Sequence, residues 1–256
     1  MNSLLRAGIE IARQGARKAG IHVCKYPSPG DHLGQLVVYL ERNAINVVLD
    51  VGAFTGDFAS KVRRAGYRGR IISFEPVPGS FTQLEARLGR DLLWQGVPYG
   101  LSDEDRQAVI NTYDLGDFNS LLNLHEDAEK VYALDHSRRG ETQVELHRLD
   151  TVLPGLLAGI DHPRVFLKMD TQGHDLSVFD GATGVLQQIL GLQSEVPAVP
   201  LYEGMHTLTQ MLDYYRAKGF VPIGFFPVNT LRSVGVAPEF DVLLNRFDGD
   251  LLKRSE

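Results

Sequence analysis

Apolar and polar positions along the chain switch between a helical and a two-residue period, and the switches mark out its elements. Leu4, Leu5, Ile9 and Ile11 make a short helical stripe at the N-terminus. The turn residues Tyr26-Pro-Ser-Pro-Gly30 interrupt it, and Asp31 is placed to cap a helix running to about Arg42. The β-branched run Asn46–Val51 predicts a first strand, followed by a helix over Thr55–Ala65 with Gly66 past its end. Arg70–Glu75 predicts a second strand, and Pro78 falls in the first turn of a helix ending near Leu88. Leu92–Gln95 reads as a short strand, Gln107–Tyr113 as an edge strand, and Thr142–Leu149 alternates again. Pro163–Met169 reads as a buried central strand ending at Asp170. Leu176, Phe179, Leu186, Ile189 and Leu190 share helical spacing, and a strand Leu190–Val196 follows. Met205, Leu208, Met211, Leu212 and Tyr215 mark a last helix, stopped at Gly219. Two closing strands, Phe220–Phe226 and Glu239–Arg246, are joined by a loop bracketed by prolines.

Strands alternating with helices predict an α/β fold with a doubly wound, mostly parallel sheet. The final hairpin puts an antiparallel strand on one edge. Residues 1–43 read as an N-terminal helical extension to a body spanning 44–256, its first helix packed on that body or on a second subunit. The segment Asp114–Gly140 is polar but carries Phe118, Leu121, Leu122 and Leu124, and reads as a cover over an acceptor pocket.

Composition narrows the partners. A hydrophobic share of 43% over 256 residues supports a sizeable core, and a net charge of −6 disfavours nucleic acid or an anionic membrane as the main partner. No apolar run is long enough for a membrane span or for the core of a signal peptide. The lone Cys24 supplies neither an internal disulfide nor a zinc cluster, so a cytoplasmic setting is expected.

The chemistry starts at Asp50-Val-Gly52-Ala53-Phe54-Thr-Gly56, a strand, tight turn and helix start. Backbone can approach a nucleotide-like ligand there, at the open end of a parallel sheet. Glu75 closes the second strand 25 positions after Asp50, where a carboxylate can accept both hydroxyls of a ribose. The turn lacks Gly-x-Gly-x-x-Gly, which disfavours NAD, and no phosphate-binding Gly-x-x-x-x-Gly-Lys-Ser/Thr occurs. S-adenosylmethionine suits such a site: it has a ribose diol, an adenine and a charged amino-acid end, but no phosphate.

A second cluster, Phe166-Leu-Lys168-Met-Asp170-Thr-Gln-Gly-His174-Asp-Leu176, is preceded by His147-Arg-Leu-Asp150 and followed by Gly181-Ala182, Gln193-Ser-Glu195-Val and Glu239–Arg246. Together with Asp50-Val-Gly-Ala53, and in this order, it resembles the FkbM family of S-adenosylmethionine-dependent methyltransferases over about Ala44 to Arg246. The resemblance implies a class I, Rossmann-like seven-stranded sheet and O-methylation of a small-molecule acceptor, a sugar or natural product. The expected cofactor contacts are Asp50, Gly52, Ala53, Phe54, Gly56, Glu75, Pro76, Ser102, Asp103 and Asp170. Ser102-Asp103 falls where the family contacts adenine. Phe54 stands where the family often has Asn, and His174-Asp175 replaces the usual Ala-Glu.

Methyl transfer needs an aligned acceptor oxygen and a group to take its proton. His174 is the expected general base, with Asp170 and Lys168 beside it; Lys168 needs a carboxylate partner, Glu195 or Asp170. An alternative places a divalent cation on Asp170, His174 and Glu195. Two other readings compete: an NAD- or nucleotide-binding enzyme on a similar sheet, and a cofactor-binding module without turnover.

Overall fold

The computed structural model describes residues 3–21, 27–28, 30–113, 119–125, 138–228 and 237–247. Cys24, and the cover's residues 114–118 and 126–137, lie outside the described residues. Among the described residues no helix is long and apolar enough to cross a membrane.

A seven-stranded sheet forms the centre of the molecule. Its strands are β1 (Val47–Val51), β2 (Arg70–Phe74), β3 (Trp94–Val97), β7 (Val165–Met169), β8 (Ile189–Pro197), β9 (Phe220–Val228) and β10 (Glu239–Arg246), in the order β3-β2-β1-β7-β8-β10-β9. β10 is the reversed strand, antiparallel to both neighbours, and it sits one place in from the edge with β9 outside it. Every residue of β1 is buried. The two-residue period sends Val47, Leu49 and Val51 into one core and Val48 into the other, so both faces are covered.

One face carries α2 (His32–Arg42), α3 (Asp57–Arg64) and α4 (Pro78–Leu88); the other carries α5 (Leu149–Leu156), α6 (Asp175–Gly181) and α7 (Leu208–Ala217). Asp31 caps α2 as its sequence position requires, accepting from the Gly34 N–H at 2.7 Å. Leu36, Tyr39 and Leu40 of α2 pack with Val48 and Phe166, so a boundary at residue 43 divides a single core. The helix α1 (Ser3–Lys18) precedes this body.

Three local differences from the sequence pattern have physical causes. β3 starts at Trp94 because Asp91 turns the chain, its carboxylate accepting from the Leu93 N–H at 2.9 Å. The helical stripe from Leu176 breaks into α6, a 3₁₀ turn at Thr183–Gln188, and the start of β8 at Ile189. Gly181 there lies against the Ser102 carbonyl so closely that a Cβ would stand 1.9 Å from its oxygen. The strand expected to end at Leu149 stops at His147, and α5 follows despite Pro154 within it.

The edge strand read at Gln107–Tyr113 is β5 (Arg106–Tyr113), and it edges a second sheet. That sheet has three strands, ordered β4 (Gly100–Leu101), β6 (Arg138–His147), β5. Its Gly100, Leu101, Ile110 and Leu146 wall the site described next.

Candidate functional site

A cavity of about 430 Å³ opens where the parallel strands β1, β2, β7 and β8 end. Open α/β sheets present ligands at this end, because the loops diverge there. Gly52, Phe54, Glu75, Pro76, Asp170, Thr171, Gln172, His174 and Glu195 line it from the main sheet. The small sheet adds Gly100, Leu101, Ile110 and Leu146, and the segment between β5 and β6 adds Asn119, Ser120 and Leu121. The lining is part apolar, and acidic where Asp170 and Glu195 meet at Gln172.

The turn after β1 is held by its neighbour. The Gly52 and Ala53 N–H groups both donate to the Phe74 carbonyl, each at 3.1 Å. Gly52 adopts φ +72°, and Phe54 is itself left-handed at φ +47°. Glu75 stabilises that shape: one carboxylate oxygen accepts from the Phe54 N–H at 2.8 Å, the other from the Val77 N–H at 2.9 Å. Burial pushes the Glu75 pKa up to about 7, against the lowering pull of those two bonds.

Asp50, expected among the cofactor contacts, is fully buried and does not reach the cavity wall. It pairs with Lys168 at 3.0 Å and accepts from Ser73 Oγ at 3.1 Å. Lys168 is buried too, so its carboxylate partners are Asp50 and, at 3.4 Å, Asp170, rather than Glu195. Burial acts to lower the Lys168 pKa, but Asp50 and Asp170 more than reverse it and leave it raised. Ala53 and Gly56 also lie behind the wall. Ala53 is buried, and Gly56 caps α3 in a left-handed conformation against Leu84 and Leu88.

His174 lines the cavity but is joined to the residues expected at the adenine end. Its Nε2 lies 3.0 Å from Ser102 Oγ, and Ser102 donates its one hydroxyl proton to Asp103 at 2.8 Å. Nε2 must then be the donor to Ser102, which fixes the tautomer. Burial drives the His174 pKa down to about 4, so the ring is neutral near pH 7. Ser102 is itself fully buried and Asp103 is exposed, so neither forms part of the wall. Asp175, beside it, is spent on structure. It accepts from Thr171 N and Oγ1, Ser194 Oγ and Glu195 N, and folds the loop after β7 onto β8.

Gln172 is the residue whose importance the sequence concealed. It is left-handed at φ +51°, with its carbonyl taking the Ser120 hydroxyl at 2.7 Å. Its side-chain oxygen accepts from Tyr202 at 2.8 Å, and its amide donates to Glu195 at 3.0 Å and Asp170 at 3.2 Å. Those partners settle the amide orientation and bring two carboxylates together. Only its place in a Gln-Gly turn hinted at this. Glu195 has its pKa pushed well up by burial and by the nearby Asp170, Glu239, Asp241 and Asp175. Among the described residues, no group of three or more His, Cys, Asp or Glu side chains is arranged to hold a metal ion.

The part of the expected cover that is described is anchored. The His125 backbone N–H donates to the Leu201 carbonyl at 2.7 Å and the Glu203 backbone N–H to the Asn123 carbonyl at 2.9 Å, while Leu122 and Leu124 pack on Leu201 and Tyr202.

Residues 50–222 match the Methyltransferase FkbM domain. The chain is 27% identical over 160 residues to the AMB antimetabolite synthetase AmbE of Pseudomonas aeruginosa, a match covering 57% of this chain. It spans only 8% of that protein's length. Among solved structures, it resembles the O-methyltransferase TomG from Streptomyces achromogenes, in complex with SAM, at 14% identity and a TM-score of 0.46, over 93% of this chain and 89% of that one. It also resembles the 1,6-didemethyltoxoflavin-N1-methyltransferase of Burkholderia thailandensis, at 13% identity and a TM-score of 0.43, over 96% and 88% of the two chains.

Proposed function

This chain belongs to the FkbM methyltransferase family, and on that premise we propose that it moves a methyl group from S-adenosylmethionine to a hydroxyl of a sugar or other small natural-product acceptor. The observation that carries this reading is the meeting of the Gly52 turn, Glu75 and Asp170 at one cavity. The residues fit the cofactor. Glu75 keeps a lone pair on each oxygen for a ribose diol, Pro76, Leu101, Ile110 and Leu146 suit a flat base, and Asp170 suits a cationic arm. Bound S-adenosylmethionine supplies a methyl carbon on a sulfonium, whose leaving group is a neutral thioether. The protein's task is to align the acceptor oxygen, exclude water and take one proton.

The geometry favours Glu195 over His174 for the proton. His174 has a low proton affinity and its Nε2 is committed to Ser102. Glu195 lines the cavity, is oriented by Gln172, and has a raised pKa, which makes it the stronger base. A panel of hydroxylated sugars and small natural products, scored for methylated product, identifies the acceptor. With that acceptor, Glu195→Gln should lower kcat roughly 10²–10⁴-fold while leaving S-adenosylhomocysteine affinity unchanged. The opposite pattern, with His174→Ala silencing turnover, returns the base to His174.

Calorimetry with S-adenosylhomocysteine against NAD separates this reading from a dinucleotide enzyme; binding of NAD alone would overturn it. The same titration has a signed pH dependence. A ribose diol donates to the ionised carboxylate, so affinity should rise as pH increases through about 7, the pKa of Glu75, with a proton released on binding. In the ligand-free protein the sign is reversed. Glu75's contribution to folding stability is present below its ordinary carboxylate range and is lost as pH rises through about 7. Affinity that stays flat from acid to mildly alkaline pH removes Glu75 from the ribose.

A further inference from the structure

A polar chain runs beneath the cavity from β3 to β8. Trp94 Nε1 on β3 donates to Ser73 Oγ on β2 at 3.1 Å, and Ser73 donates to Asp50 on β1 at 3.1 Å. Asp50 pairs with Lys168 on β7 at 3.0 Å, and Lys168 lies 3.4 Å from Asp170. Asp170 then accepts from Gln172, which also reaches Glu195 on β8. Lys168 is the one cation in this chain of contacts. Its ammonium also donates to the Gly52 carbonyl at 3.1 Å and the Val51 carbonyl at 3.4 Å, and lies 5.4 Å from the centre of the Phe58 ring.

The sheet register explains why one residue can do all this. Asp50 and Lys168 are directly paired across β1 and β7, so an ammonium at 168 meets both the acid before the turn and the carbonyls within it. Lys168 is 3% exposed and Asp50 0%, while the Asp170 side chain, 38% exposed, stands on the cavity wall. The buried pair thus reaches the cavity wall at two points, the Asp170 carboxylate and the Gly52 turn. Glu195, joined to Asp170 through Gln172, lines the same part of the cavity. With a ribose at Glu75, a nucleoside bearing an amino-acid arm finds a carboxylate for its ammonium in Asp170.

We infer that Lys168 is a positioning residue that sets the Asp170 carboxylate and the Gly52 turn to receive the ammonium of the cofactor's amino-acid arm. The inference rests on the S-adenosylmethionine reading above. Removing Lys168 alone would strand Asp50 as an unpaired buried charge and threaten the fold. The variant to make is therefore Asp50→Asn/Lys168→Met, which removes both charges together.

Two ligands distinguish positioning from scaffolding: S-adenosylhomocysteine, and 5′-methylthioadenosine, which keeps the nucleoside and lacks the amino-acid arm. By calorimetry, wild-type protein should bind S-adenosylhomocysteine the more tightly. The double variant should lose about tenfold or more of that preference, the scale of a charge-assisted bond, with its melting temperature and methylthioadenosine affinity close to wild type. Affinities that weaken by the same factor would make Lys168 a support for the turn only, and an unchanged preference would likewise overturn the inference. Wild-type protein that binds neither ligand removes the cofactor reading itself, and the inference with it. Should the double variant not fold, Asp170→Asn carries the test at the wall. The same loss of preference is expected, and an unaltered preference would overturn the proposal.

Discussion

Gly52→Val should lower the melting temperature by roughly 10–20 °C and abolish measurable S-adenosylhomocysteine binding. Gly52 sits at φ +72°, where a β-branched residue is an outlier. The harder constraint is spatial. A Cβ there would lie 2.0 Å from the Asp170 carbonyl oxygen and 2.9 Å from its carbon, both backbone atoms that cannot rotate away. The β1 turn and the end of β7 would have to separate, which breaks the parallel pairing of Val51 with Met169 and pulls the Gly52 carbonyl from Lys168. Left-handed strain of about 1–3 kcal/mol and an overpacking cost of about 1–3 kcal/mol add to several kcal/mol. The backbone contact predicts that Gly52→Ala already incurs most of this loss, because the Cβ alone clashes. A side chain that merely intruded on the ligand would instead leave alanine nearly normal. Scanning calorimetry of both variants decides it, and a wild-type melting temperature for Gly52→Ala would refute the contact.

Much of the fold could be read from residue patterns because its strands are buried on both faces. β1, β2 and β7 are mostly apolar, broken only at Asp50, at Arg70 and Ser73, and at Lys168, and the caps and stops around them, Asp31 and Pro78 among them, act through local backbone geometry. What alternation cannot give is the sheet a strand joins. β5 has the half-exposed pattern of any edge, and its partner β6 lies beyond a long insertion. The site divides in the same way. Gly52 and Glu75 stand out because a turn and a strand end are local events. The pairing of His174 with Ser102 spans 72 residues, and nothing near either one signals it. Asp50 looked like a ligand contact because it borders the turn. Its burial follows from facing Lys168 across two strands, a relation that only the register supplies.

Glu75→Ala tests the other local signal, and the expected loss of S-adenosylhomocysteine affinity is about 2–4 kcal/mol, or roughly 30- to 1,000-fold. Two effects contribute, and they can be told apart. The carboxylate braces the Phe54 and Val77 N–H groups at 2.8 and 2.9 Å, so its removal frees a left-handed turn to relax. Losing that brace lowers stability as well as affinity, by about 1–3 kcal/mol if both donors stay dry. Losing the acceptor for a ribose diol lowers affinity alone. Glu75→Gln separates them only partly, since its amide nitrogen would face one of those N–H donors and repel it. The cleaner control is the ligand. 2′,3′-Dideoxyadenosine has no diol to donate, so Glu75→Ala should cost it only the bracing effect, whereas adenosine should lose more. Calorimetry of both nucleosides on wild type and variant supplies the comparison. Equal losses would leave Glu75 as a brace for the turn and move the ribose elsewhere in the cavity. A larger loss for adenosine keeps the diol on this carboxylate.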